Sequence, residues 1–415
     1  MKQALESPAA KTGRRHQGHR IDIVSKADLR ACKHWHHAFA HTRKDDRYYE
    51  IVEDTIMPDF VYRYFAVRDG VGNVRSVQPF FLLDQDLLEG SSHTLRAGAS
   101  IVRLLWPRFL KMRTLMLGCV AGEAHLDRRD GNATADAALL AREIVRHAKA
   151  LGARLIVLKE FPSGYRRALN AFANHGFARI PSLPMVVLNL DYRDFDDYLL
   201  RGVTARMRSD LRRKFRASAS GSPITLEIVR DVSGVIDEIY PLYLQVYERS
   251  DRHFEKLTRE YFIALGRRMP DKSRFFIWRS DGHIVAFSLT MVHGDHICNE
   301  YLGLDYDVAL DRHLYFVAFR DVISWAIANG YKRCLSGGMH YDPKLNLGFT
   351  LYPVDLYVRH VSDVMNGVLK HLLPLIEPTR SEPILRRFRN YDEIWANDLP
   401  REAAQVSGSV VKNSG

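Results

Sequence analysis

The chain has 415 residues, of which 46% are hydrophobic and 11% aromatic, and a formal net charge of +11. That length exceeds what one core ordinarily serves, so two domains are the prior, and the composition supplies apolar surface enough for both. The charge favours an anionic partner such as a phosphate-bearing cofactor, a nucleic acid or a membrane surface. Cys32, Cys119, Cys298 and Cys334 show neither CxxC spacing nor a Cys/His cluster. They argue for reduced, buried thiols and against a disulfide framework or a zinc site. No apolar run approaches the ~18 residues of a membrane span, and the first twenty residues are polar and basic, so the expectation is a cytoplasmic protein, at most peripheral to the inner face of a membrane.

Residues 1–20 and 396–415 lack periodicity and read as disordered tails. Ile21 to Val24 predicts a strand, and Ser25 with Asp28 opens a helix carrying Leu29, Cys32, Trp35 and Phe39. A meander follows at Phe60 to Arg68, Val74 to Leu83 and Thr114 to Cys119, its first turn at Gly70 to Asn73. A helix from Ala138 ends at Gly152 and leads into a strand from Arg154 to Leu158; after Gly176-Phe177 comes a closing strand from Met185 to Leu190.

Residues 194–222 form a connector in which Met207, Leu211 and Phe215 make one stripe of a helix while Arg208, Arg212, Arg213, Lys214 and Arg216 occupy its other faces. Arg208, Arg212, Arg213 and Arg216 are the expected contacts to an anionic membrane or to a nucleic acid such as tRNA. The element order then repeats. Leu226 to Val229 is a strand; Val235, Ile239, Leu242 and Val246 mark a helix; Phe275 to Trp278, Ile284 to Val292 and Ile297 to Leu304 are three strands. Asp311 is the expected N-cap of a helix through Leu314, Val317, Ala318, Val322 and Trp325, stopped by Gly330. The strand Arg333 to Ser336, then Gly348-Phe349 and the closing strand Tyr352 to Val358 complete the second pass. The reading is therefore two copies of one α/β unit with mixed sheets, at 21–193 and 223–360, followed over 361–395 by helices broken at Pro374, Pro378 and Pro383.

The order strand, helix, strand, polar loop, strand, together with the stretch from Asn329 to Phe349, resembles the FemAB-like branch of the GNAT acyltransferase superfamily. That branch includes the peptidoglycan-bridge aminoacyltransferases and is built from tandem GNAT domains. The resemblance implies an N-acyltransferase of the EC 2.3 class working in cell envelope biosynthesis. Its cosubstrate would be acyl-CoA, an acyl-carrier protein or an aminoacyl-tRNA, with no tightly bound cofactor; the acceptor would be an amine on an amino sugar, a peptide or a long-chain lipid. It also places the donor's phosphates at the start of the helix near Arg312, Gly303 and Asp311. The glycine-rich Q/R-x-x-G-x-G/A loop of the CoA-using enzymes is present in neither copy, which leaves the donor open.

Acyl transfer to an amine needs an anchored donor, a base for the amine and stabilisation of an oxyanion. No GxSxG elbow, HExxH or Walker loop is present, which lowers the hydrolase, zincin and P-loop readings. Glu300 is the leading base, because a carboxylate inside a strand is disfavoured unless it faces a polar space or an Arg or Lys partner. Asn299 and Tyr301 beside it are candidate substrate contacts. In the loop after Ser336, Tyr341 and His340 are acid-base candidates and Lys344 a candidate for meeting the oxyanion or a phosphate. Glu123, His125 and Asp127 in the first copy read as solvated loop residues. The competing reading is a non-catalytic protein of the same fold that recognises a cell-wall, lipid or nucleic-acid ligand.

Overall fold

The computed structural model describes residues 19–57, 59–86, 111–128, 131–250 and 254–395. Apart from His19 and Arg20, the two expected tails lie outside them. The first half contributes β1 (Arg20–Val24), β2 (Val61–Arg68), β3 (Val74–Asp86), β4 (Lys111–Leu117), β5 (Leu155–Pro162), β6 (Ala178–Pro181) and β7 (Met185–Asn189). The second contributes β8 (Thr225–Val229), β9 (Ser273–Ser280), β10 (His283–His293), β11 (His296–Leu304), β12 (Arg333–Ser336), β13 (Thr350–Tyr352) and β14 (Val354–His360).

These form two sheets, ordered β1-β2-β3-β4-β5-β14-β6 and β8-β9-β10-β11-β12-β7-β13. The orders match position for position, and in each the sixth place is filled by the closing strand of the other half. Val186 and Leu188 on one face of β7 and Val187 on the other are all buried, as a strand inserted between two neighbours requires. Because each sheet is completed by a strand from the other half, separating the halves would open both sheets.

Helices cover the outer faces. α3 (Gly131–Ala150) and α4 (Arg166–Asn174) enclose a core with Phe65, Leu117 and Leu158 of the first sheet. α5 (Phe195–Arg201), α6 (Ala205–Ala219) and α10 (Leu314–Ala328) do so with Phe276, Trp278 and Ile297 of the second. A third core joins the halves. In it α2 (Asp46–Thr55), α7 (Ile236–Glu248) and α8 (Arg259–Arg268) bring Tyr48, Tyr243 and Tyr261 together, with a 2.8 Å hydrogen bond between the hydroxyls of Tyr48 and Tyr261.

Two helix expectations change. The first helix stops early: α1, opened by a Ser25–Asp28 capping box, spans only Lys26–Leu29, and the chain reaches Phe39 through a single 3-10 turn. Phe39 adopts φ +60°, which turns its amide onto the carbonyl of Asp127 at 3.0 Å and sends residues 42–45 into the interior. Asp311 does not cap the later helix. A short α9 (Tyr306–Ala309), capped by Asp305, precedes it, and α10 begins at Leu314 after His313 at φ +48°.

Candidate active site between the two sheets

In each sheet two neighbouring strands run parallel for four rungs, from Thr114↔Leu155 to Leu117↔Leu158 and from His296↔Arg333 to Asn299↔Ser336. Past the last rung the strands part. Glu300 is the first residue beyond it on β11, and it is a bulge: Leu289 pairs with Tyr301 and Thr290 with Asn299, leaving Glu300 unpaired. A bulge re-aims the side chain it carries. The first sheet has its own bulge on β5, where two residues separate Leu158 from Phe161 while one separates Tyr357 from Asp355 on β14. That bulge holds Lys159 and Glu160, the latter at φ +55°, a conformation a glutamate adopts at a cost of about 1–3 kcal/mol.

Both bulges feed a buried polar cluster. Arg43 donates to Glu300 through Nε and to Glu123 at 2.7 Å. Lys44 Nζ, fully buried, donates to Glu123 Oε2 at 2.9 Å and to the carbonyls of Ala121 and Glu123 at 3.0 and 3.2 Å. Two cations and two carboxylates are thus balanced in a buried space, which is what makes their burial tolerable. Burial pushes the Glu123 carboxyl up, but Arg43, Lys44 and His125 outweigh it and hold the group well below the usual carboxylate range. Burial lowers His125 to about 4, so its ring is neutral where it meets Glu123 Oε1 at 3.1 Å and the Tyr165 hydroxyl at 3.3 Å. Glu123, His125 and Asp127 are therefore interior residues, a correction to the solvated loop expected; Asp127 bonds His34 at 2.7 Å and the amide of Val77 at 2.6 Å.

Lys159 extends the cluster, donating at 3.0 Å both to the Gly122 carbonyl and to Glu160, with its ammonium 5.0 Å from the Phe254 ring centre. Glu255 receives the Tyr301 hydroxyl at 3.0 Å, and burial raises its carboxyl pKa against the pull of Lys159 and Tyr301. Arg43, Lys44, Lys159, Glu160 and Glu255 were missed in the sequence. Residues 42–47 (Thr-Arg-Lys-Asp-Asp-Arg) and 255–256 (Glu-Lys) look like solvated turns; the fold buries 42–45 and half-buries Asp46, Arg47 and Glu255, while Lys256 stays exposed.

The remaining sequence candidates fall as follows. Asn299 is buried, accepting from the Ser288 hydroxyl. Tyr341 opens α11 (Tyr341–Asn346) and is also buried, its hydroxyl donating to the Pro184 carbonyl at 2.7 Å. Lys344 Nζ donates to the carbonyls of Gly337 and Met339 at 2.6 and 2.7 Å, and burial lowers its pKa to about 7. His340 is exposed at φ +53°. Gly303 permits close packing: a Cβ there would lie 2.2 Å from the Phe287 ring and 2.8 Å from the Tyr243 amide nitrogen. Asp311 is exposed, and Arg312 reaches back to the carbonyls of Ser218 and Ser222. On α6, Arg208 donates to the carbonyls of Leu199 and Leu200, Arg213 and Lys214 pair with Asp210, and Arg212 and Arg216 are exposed. Among the described residues no group of three His, Cys, Asp or Glu side chains is arranged to hold a metal ion.

Residues 205–344 match the acetyltransferase (GNAT) domain family. Among curated proteins the chain is 22% identical over 366 residues to a Mycobacterium tuberculosis protein provisionally named 8-amino-7-oxononanoate synthase 2, in strains H37Rv and CDC 1551 / Oshkosh alike. The match takes in 82% of this chain and 46% of that protein, so the chain spans about half the length of the curated relatives it matches. Among solved structures, the crystal structure of FemX is similar in fold at TM-score 0.52 and 13% identity, covering 84% of this chain and 100% of that one. A tandem GNAT protein from the clavulanic acid biosynthesis pathway aligns at TM-score 0.46 and 14% identity, over 83% of this chain and 99% of its own.

Proposed function

We propose that the chain, whose residues 205–344 match the acetyltransferase (GNAT) domain family, moves an acyl group from a thioester donor to an amine held at the Glu300 end of the second sheet. The observation that carries the reading is the bulge that turns Glu300 toward the divergence of β11 from β12, inside the family-matched residues. Arg43 fixes the carboxylate through Oε1, which leaves Oε2 as the edge for an incoming ammonium. Oε2 takes the ammonium proton, the freed amine attacks the thioester carbonyl, the new C–N bond forms and the C–S bond breaks, and the thiolate leaves to be protonated. Tyr301 and Glu255 suit a cationic acceptor, since Glu255 is a half-buried carboxyl bonded to Tyr301, whose ring lies against those of Tyr243 and Tyr261.

The donor's phosphates would meet the free amides at the start of α10, with Lys214 above the Phe316 ring at 3.8 Å beside them. Arg312 is assigned to holding the end of α6 rather than to an anion. Lys344 is assigned to positioning: both of its hydrogen bonds go to backbone carbonyls of the Gly337 to Met339 loop, and a neutral amine with two N–H groups satisfies them as well as an ammonium. Tyr341 likewise anchors Pro184.

The test is release of free thiol from acetyl-, medium-chain and long-chain acyl-CoA with amino sugar, peptide and lipid amines, the products identified by mass. An amide product dependent on an acyl thioester, lost in Glu300→Gln, is the expected result. Absence of thiol release from every thioester, with transfer from an aminoacyl-tRNA instead, would replace the donor. Equal turnover by Glu300→Gln would remove Glu300 from the chemistry.

A further inference from the structure

The C-terminal helix α12 (Asp363–Ile376) has more apolar surface than the fold uses. It lies on β14 and β6, burying Asn366 and Leu373 and half-burying Leu369. Yet Val364, Met365, Val368, Leu372, Leu375 and Ile376 are exposed, between 45% and 79%, and they are six of the fourteen exposed large apolar residues among those described. At about 100° per residue the six occupy one continuous arc of roughly 120°, flanked on one side by the buried stripe and on the other by His371, with Lys370 on the far side of the helix. Isolated exposed leucines are ordinary; a whole helical face of them marks a contact.

The charge around this face indicates what covers it. Between residues 363 and 393 the exposed charged side chains are five cations, Lys370, Arg380, Arg386, Arg387 and Arg389, and three acids, Asp363, Asp392 and Glu393, whereas Glu377 and Glu382 are half-buried. An apolar arc followed in the chain by four exposed arginines, on a chain of net charge +11, is complementary to a surface apolar in depth and negative at its rim. A second copy of the same chain would bring those cations against one another. No described helix is long and apolar enough to cross a membrane, so the contact would be interfacial.

We propose that α12 docks the protein on an anionic lipid bilayer, its outer apolar face seated at the headgroup boundary and Arg380, Arg386, Arg387 and Arg389 against the lipid phosphates. The full chain is floated with vesicles of phosphatidylglycerol and phosphatidylcholine, and with phosphatidylcholine alone, as wild type and as Val368→Asp/Leu372→Asp. Both positions are exposed, so the melting temperature of the double variant should match wild type. The expected result is binding to the anionic vesicles that falls by about tenfold or more in the double variant, and that weakens as salt is raised. Failure of the wild type to float with anionic vesicles overturns the proposal, as does equal flotation of the double variant. A dimer in sedimentation that the double variant dissociates, without vesicle binding, would assign the face to a second copy and also overturn it. None of these readouts depends on turnover.

Discussion

In the first sheet the residues just past the last parallel rung are Gly118, which follows β4, and Lys159 on β5; in the second they are Glu300 on β11 and Gly337, which follows β12. The first pair leaves no room at Gly118, where a Cβ would lie 2.6 Å from that of Ala124, and the loop it begins carries Glu123 and His125 into the interior. Around Gly337 nothing lies within 4 Å of where a Cβ would stand. One fold, used twice, is packed by its own chain at this point in the first half, whereas in the second it keeps space for a Cβ at Gly337 and a carboxylate, Glu300, held by an arginine. The first half then serves the second: its Arg43 pairs with Glu300.

The comparison is broken most directly by exchanging two carboxylates for amides. Glu300→Gln should lower turnover by about 10²- to 10⁴-fold, the worth of a positioned general base. Glu123→Gln should leave turnover per folded molecule within about tenfold of wild type but lower stability by ~3–5 kcal/mol, because Lys44 and Arg43 lose a buried counter-ion. Activity and thermal melting on both variants decide it. If Glu123→Gln is the inactive variant and Glu300→Gln the unstable one, the assignment of roles to the two halves is reversed.

Lys344 supplies a pH test confined to the second half. Its folded value of about 7 lies below the ordinary 10.5 because it is buried. Between those two values the unfolded chain keeps a proton that the folded chain has released, so stability should climb with pH by ~1.4 kcal/mol per unit across that window. Below about 7 both states carry the proton and this contribution is flat. Denaturant melts at pH 6, 7, 8 and 9 should show the climb in wild type and lose it in Lys344→Met. Turnover per folded molecule should fall less than about tenfold in that variant; a loss of about 10³ would return Lys344 to the oxyanion role.

The repeat itself could be read from the chain because its signals are local: apolar runs split by Asp281-Gly282 and Gly294-Asp295, and helices ended by Gly152 and Gly330 before short β-branched strands. Glu300 stands out as a candidate for the same reason, a lone carboxylate in the strand run Cys298 to Leu302. The exchange of β7 and β14 was not readable, since a strand's sequence states that both its faces are buried and not which sheet buries them. Nor was the other side of the site. Residues 42–47 are five charged residues after a threonine, and their burial depends on Phe39 leaving the helical region, a tertiary demand that periodicity does not report. Asp311 failed as an N-cap because Asp305, six residues earlier, caps a separate short turn.

The smallest effect comes from a methyl group at each of the two glycines. Gly118 sits at φ +130° with Ala124 and the Lys159 carbonyl in the way, so Gly118→Ala should cost about 1–3 kcal/mol through strain and overpacking. Gly337 has an ordinary φ and open space, so Gly337→Ala should change stability by less than ~0.5 kcal/mol, or raise it slightly by restricting the unfolded chain. Its effect should appear in KM instead. If the thioester lies along the backbone where β11 and β12 part, the added methyl meets the donor, and KM for acyl-CoA should rise several-fold, about 1 kcal/mol, at unchanged kcat. A Gly337→Ala variant with wild-type KM for every donor would mean that the open space at Gly337 is not where the donor lies. The donor would then have to approach Glu300 from the side of Tyr301 and Glu255.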